Sequence, residues 1–257
     1  MRHFQWMNTK KCLPHGIVIA ASGIASLLIF IYLITPSGPF FWDENAHALH
    51  GLFICKNLKN QDLMGFLFDT YRQVYWPPLF SWLCGIFFLI FEPSYAAARS
   101  VSLMAFAVLV YVVFLAARQL NSQNKGFTGF FSSLFLMGSV PFIIYSSQAM
   151  LEVPGILAIY ATFLTLFLLS DHSDSPRYYM ILGLMLCITY FTKTHFSILL
   201  ILSILISHLM DVRWRVFELL NKKNLYTAIP MILIFGVWFL YIKKIEITWV
   251  VLVNFPT

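Results

Sequence analysis

Charge is what this 257-residue sequence has least of: Asp, Glu, Lys and Arg make up 11% of it, against about 25% in ordinary globular chains. With 60% hydrophobic residues and a mean hydropathy of +0.77, that scarcity excludes a soluble domain and implies a polytopic membrane protein. Cysteine is scarce too. Cys12, Cys55, Cys84 and Cys187 show no C-x-x-C spacing and sit mostly in apolar surroundings, so they read as small hydrophobes. No internal repeat and no low-complexity tract occurs. The net charge of +6 does not point to nucleic acid, because the cations fall in short clusters between apolar runs, as membrane topology requires.

The basic leader from Met1 to Lys11 precedes an apolar run from Ile17 to Ile34. That run is too long for a signal-peptide core and no A-x-A site follows it, so it reads as an uncleaved first span with the N-terminus in the cytoplasm. Residues 36–92 form the first external loop. Within it, Asp43 to Lys56 carries Ala46, Leu49, Phe53 and Ile54 at helical spacing, which predicts an interfacial helix with Asp43 and Glu44 in its first turn, where the helix dipole favours negative charge. Pro77 to Phe91 is apolar but short for a span of 17 to 25 residues. If it does not cross, six further spans follow, at about Ser94–Ala117, Phe127–Tyr145, Val153–Leu169, Tyr178–Phe191, Phe196–Leu209 and Tyr226–Ile242, and ten of the 17 Lys and Arg lie inside. If it crosses, only seven do, so the positive-inside rule favours the first arrangement. The fifth and sixth spans are separated by a break at Thr192-Lys193-Thr194-His195, because one continuous helix would be about 50 Å long against a core of about 30 Å.

This topology collects Asp43, Glu44, His47, His50, Tyr71, Arg72, Trp76, Arg99, Glu152, Lys193 and His195 on one aqueous face. Acids near cations suit transfer of a group from a lipid phosphate, the carboxylate accepting a proton and the cations holding the leaving phosphate. A transporter with intramembrane ion pairs has a similar composition. Plainer readings accompany several residues. Arg99 can snorkel at a helix end, and His47 and His50 can be a polar helix face. Asp171, His172 and Asp174 read as a solvated cytoplasmic turn. Trp42, Tyr75, Trp76 and Trp82 suit an interfacial aromatic belt, with sugar stacking as the lesser alternative.

Asp43-Glu44 after the first span, Pro77-Pro78-Leu79, Ala98-Arg99-Ser100, Met150-Leu151-Glu152 and Thr192-Lys193, in that order, resemble the protein mannosyltransferase and aminoarabinose transferase superfamily. These are glycosyltransferases of the GT-C fold, of the glycosyltransferase family 39 type, that use polyprenyl-phosphate sugars. The resemblance implies an all-α integral membrane protein, a GT-C-like bundle of about seven transmembrane helices with interfacial helices in the first external loop. It implies Asp43 as catalytic base and Glu152 as the second catalytic acid. Glu44, Arg99, Lys193, Trp76 and Tyr75 become the expected substrate contacts, with Arg99 and Lys193 at the lipid phosphate. Tyr75-Trp76 departs from the Glu-Lys of aminoarabinose transferases, which argues against that sugar. A divalent metal is left open as a cofactor, with Asp43, His47 and Glu152 as its candidate ligands. The expected partners are a polyprenyl-phosphate sugar donor, the lipid bilayer and an unidentified protein, lipid or glycan acceptor. The expected location is the bacterial inner (plasma) membrane, with an extracytoplasmic active site. Relatives of this kind are longer, so residues 1–257 are expected to be one transmembrane catalytic module lacking a C-terminal portion. A transporter or flippase of lipid-linked sugars, or an inactive truncated scaffold, are the alternatives.

Overall fold

The computed structural model describes residues 9–73, 76–120, 123–171, 175–211 and 222–253. Tyr75, His172, Asp174, the start of the basic leader and most of the Arg213–Lys223 connector lie outside the described residues. All regular structure among the described residues is helical. The helices are α1 (Thr9–Ile29, continued by a π-helical turn at Phe30–Ile34), α2 (Asp43–Lys59), α3 (Leu63–Tyr71), α4 (Leu79–Phe91), α5 (Tyr95–Leu120) and α6 (Lys125–Met137). After them come α7 (Val140–Ser146), α8 (Glu152–Asp171), α9 (Pro176–Thr192), α10 (Thr194–Asp211) and α11 (Lys222–Val253).

α5 is the axis of the bundle. Its small residues Ala97, Ala98, Ser102, Ala105, Ala116 and Ala117 are buried, and they let α1, α4, α6 and α8 approach its backbone. Val18, Phe106, Leu109, Val110, Phe114 and Val153 fill the core between them. Hydroxyls tie neighbouring helices together where water is absent. Ser22 Oγ donates to the Ala107 carbonyl at 3.0 Å, Ser133 Oγ to that of Val110 at 3.0 Å, and Ser197 Oγ to that of Leu186 at 3.2 Å.

The seven apolar runs are helical, the third divided between α6 and α7. Among the described residues, four helices hold 18 or more residues apolar enough to cross a membrane: Pro14–Ile34, Tyr95–Leu120, Glu152–Leu169 and Lys223–Leu240. α6 and α7 together make a fifth if the 65° bend between them interrupts one span. α9 has 17 residues and α10 has 18, both at the lower end of the length that crosses a bilayer. The break between α9 and α10 falls at Lys193, whose backbone leaves the helix for an extended conformation (φ −155°, ψ 105°).

The first loop folds back on the bundle. Arg99, in the second turn of α5, bonds the backbone that follows α1, so the chain leaves α1 and enters α5 at the same end. α2 lies close against α4 because glycines face across the contact. A Cβ on Gly51 would sit 2.5 Å from Cys84 Cβ, and one on Gly85 would sit 2.7 Å from Ile54 Cγ2. The face of α2 turned toward the bundle is partly polar. Glu44, His47, Ala48, Gly51, Ile54 and Cys55 are buried, whereas Leu49 is 46% exposed and Ala46 and Phe53 are half-buried. Arg99 from α5 pairs with Glu44 on that face, and the charges of Glu152 and Lys193 act on His47.

Candidate active site

Asp43 opens α2 and is exposed; its carboxylate makes no hydrogen bond or ion pair with any described residue. Its neighbour is held from every side. Glu44 Oε1 accepts from Arg99 Nε at 2.9 Å and from the Ala149 N–H at 2.8 Å. Glu44 Oε2 accepts from Arg99 Nη2 at 3.0 Å and from the Phe41 N–H at 3.0 Å. The Phe41 contact reaches back over three residues to the N–H just before the Trp42 N-cap, and it fixes the entry to α2. Burial alone would push the Glu44 carboxyl up; the Arg99 bonds and the two backbone donors outweigh it and hold the carboxyl below its ordinary value.

Arg99 is 4% exposed and fully engaged. Beyond Glu44, its Nη1 donates to Ser37 Oγ and to the Gly38 carbonyl at 3.1 Å, and its Nη2 reaches the Pro39 carbonyl at 3.4 Å. Glu44 and Arg99, expected to contact substrate, therefore contact one another, and together they rivet the loop after α1 to α5 and to the Ser146–Leu151 loop. Between these fixed points Trp42 adopts φ 48°, ψ −124°, a backbone region that L residues rarely occupy, and its side chain is 85% exposed. Such strain persists only where neighbouring bonds over-determine the backbone.

A second pair stands at the start of α8. Lys193 Nζ meets Glu152 Oε1 at 2.6 Å and lies 4.9 Å from the centre of the Phe196 ring. Gly155, one turn into α8, admits Phe196 and the Lys193 stem: a Cβ there would sit 2.8 Å from the Phe196 ring. Glu152 Oε2 is buried and has no partner among the described residues. An unpaired buried acceptor of this kind costs about 1–3 kcal/mol until a donor reaches it.

His47 links the two pairs. It is 5% exposed, with its ring centre 5.6 Å from that of Trp76 and 5.5 Å from that of Phe80. Burial lowers its pKa to about 4, although the charges of Glu152 and Glu44 pull the other way. Its imidazole is neutral at physiological pH.

Glu44, Arg99, His47, Trp76, Glu152 and Lys193 thus surround the inward face of the α2 N-terminal half, with Asp43 at its exposed start. The candidate metal ligands Asp43, His47 and Glu152 do not assemble, since no group of three or more His, Cys, Asp or Glu that could hold a metal occurs among the described residues. The Ala149 N–H and the Ser37-Gly38-Pro39 acceptors escaped the sequence reading because backbone groups carry no residue signal. Ser37 was the one legible clue, a hydroxyl directly after the first span.

A family model of dolichyl-phosphate-mannose-protein mannosyltransferases matches residues 76–241, about two thirds of the chain. The chain belongs to that family. This membership makes it a membrane glycosyltransferase of the GT-C kind. Arg99, Glu152 and Lys193 fall within the stretch matched to the mannosyltransferase family, and Asp43 and Glu44 precede it. No curated protein and no solved structure matches the chain.

Proposed function

We propose that this mannosyltransferase-family protein transfers a sugar from a polyprenyl-phosphate donor to a hydroxyl-bearing acceptor, with Asp43 as the general base. The carrying observation is the contrast between adjacent acids: Glu44 is buried and fully bonded, whereas Asp43 is exposed and unpaired on a backbone fixed by that same network. The acceptor O–H gives its proton to the Asp43 carboxylate. Its oxygen bonds to the sugar's anomeric carbon, and the bond from that carbon to the phosphate oxygen breaks, the electron pair leaving with polyprenyl phosphate. Glu152 assists by accepting a substrate hydroxyl on its unpartnered Oε2, and Lys193, paired to Oε1, holds it in place.

The membrane orientation belongs to the same reading. The cytoplasmic N-terminus follows from the distribution of Lys and Arg, which puts the Asp43 end of the bundle outside the cytoplasm. α2, α3 and α4 then lie at that surface, supported by the shared end at which α1 leaves and α5 enters. Exposed Trp42, Leu49 and Leu52 suit the lipid boundary.

A purified sample with a radiolabelled lipid-linked sugar donor tests the reaction class. The label is expected to move into an acceptor of the host membrane extract with release of polyprenyl phosphate. Movement of intact donor across the bilayer without a labelled product would instead identify a transporter.

A further inference from the structure

A second polar cluster lies where the end of α3 meets α2. Arg72 Nε bonds Asp69 Oδ1 at 3.1 Å, and Asp69 Oδ2 accepts from Asn57 Nδ2 at 2.6 Å. The Arg72 guanidinium carbon lies 4.4 Å from the centre of the Phe53 ring. Carboxylate on one edge and ring on one face fix the guanidinium plane. Its terminal nitrogens Nη1 and Nη2 make no hydrogen bond with any described residue, and the side chain is one-third exposed at 34%. The donors are pre-oriented but unfilled.

His50 completes the arrangement. It follows His47 by three positions on α2, so the two imidazoles lie on neighbouring turns of one helix face. The His50 ring feels the charges of Arg72 and Asp69, and its Nδ1 is buried without a partner. Burial and the Arg72 charge lower its pKa and keep it uncharged, so it offers an N–H rather than a second full cation. Two guanidinium donors beside an imidazole N–H repel a metal cation and match an anion rich in acceptor oxygens. His47, one turn before His50 on α2, is also the residue on which the charges of Glu44, Glu152 and Lys193 act, so the cluster borders the candidate site. Arg99, by contrast, has no donor left for such an anion.

We propose that Arg72 and His50 form the subsite that holds the phosphate of the lipid-linked donor, and of the polyprenyl phosphate that leaves, in the role expected of Arg99. The assignment rests on the glycosyl-transfer reading. Asp69, Asn57 and Phe53 act as positioning residues, because they orient Arg72 without reaching the phosphate.

Titration of the full chain in detergent micelles with farnesyl phosphate, farnesol and inorganic phosphate tests the subsite. The wild type is expected to bind farnesyl phosphate more tightly than either of the others, since the lipid form supplies both the anion and the apolar chain. Arg72→Met is expected to weaken farnesyl phosphate about tenfold to a hundredfold, the range for losing charge-assisted hydrogen bonds, and to leave farnesol unchanged. Arg72→Lys recovers part of the loss. Because Arg72 also braces α3, His50→Phe gives an independent reading: it keeps a ring in place, removes the nitrogens, and lowers farnesyl phosphate affinity severalfold with farnesol again unchanged. Unaltered farnesyl phosphate affinity in both Arg72→Met and His50→Phe overturns the proposal. Inorganic phosphate binding as tightly as farnesyl phosphate overturns it as well, by making this a free-phosphate site. Asp43→Asn binds farnesyl phosphate like the wild type, so failure of Asp43 as base would show in turnover and leave this titration standing.

Discussion

Replacing Arg99 by Met should be the most damaging single change at the candidate site. Arg99 and Glu44 are 5% and 3% exposed at their side chains, and two bonds of 2.9 and 3.0 Å join them. Met fills much of the volume but leaves the Glu44 carboxylate buried with only the Ala149 and Phe41 N–H groups. An uncompensated buried charge costs about 3–5 kcal/mol. Glu44→Gln is milder, about 2 kcal/mol, because Arg99 keeps Ser37 Oγ and the Gly38 and Pro39 carbonyls. The double variant removes both charges together, so it should cost less than the sum of the two, with a coupling of about 2 kcal/mol. Thermal unfolding in micelles, followed by a thiol-reactive dye, reads this directly, since Cys55, Cys84 and Cys187 are buried free thiols. Additivity of the two single effects within about 0.5 kcal/mol would refute the ion pair as the rivet of the first loop.

Three further outcomes follow from the same contacts. His47, with its folded pKa lowered to about 4 from 6.5, binds a proton in the unfolded chain before it does in the folded one, so stability should climb from about pH 4 to 6.5, by up to about 3 kcal/mol, and level off above. Glu44, held below its ordinary value, adds to the loss as pH falls through its folded pKa; in His47→Phe the climb should shrink in a pH series of unfolding curves. Gly51→Ala should destabilise by about 1–3 kcal/mol and open Cys84 to thiol reagents, because its Cβ meets Cys84 Cβ at 2.5 Å, whereas Gly23→Ala, with nothing within 4 Å, should be neutral or slightly stabilising. Cysteines substituted at Asp43 and Glu152 should both be labelled by an impermeant reagent from the same side of an oriented membrane, and protection of only one would break the shared-end topology.

The membrane class and most helices were legible in the sequence because apolar runs and their breaks are local signals. The interruption at Lys193 illustrates this: a cation between two short apolar stretches pointed to a break, and the helix ends at Thr192 and restarts at Thr194. The number of crossings was not legible to the same degree, since α6 and α7 are bent by 65° at their junction and α9 and α10, at 17 and 18 residues, lie at the lower limit of span length. α2 shows why side-chain patterns mislead at a site. Periodicity grouped Ala46, Leu49, Phe53 and Ile54 as the apolar side of an interfacial helix and said nothing of Glu44 and His47, which turn inward because Arg99 of α5 pairs with Glu44 and the Trp76 and Phe80 rings pack on His47. The division of labour between Asp43 and Glu44 likewise depends on Arg99 and on the Ala149 N–H, 55 and 105 residues from Glu44, which no local pattern specifies.

The central claim is that Asp43 is the base. Asp43→Asn keeps the shape of the side chain and touches none of the Glu44 bonds, so the variant should unfold at the wild-type temperature and bind farnesyl phosphate normally. Its transfer of radiolabelled sugar from a polyprenyl-phosphate donor should fall at least a hundredfold, the lower range for loss of a general base. Wild-type turnover in a folded Asp43→Asn protein would contradict the account.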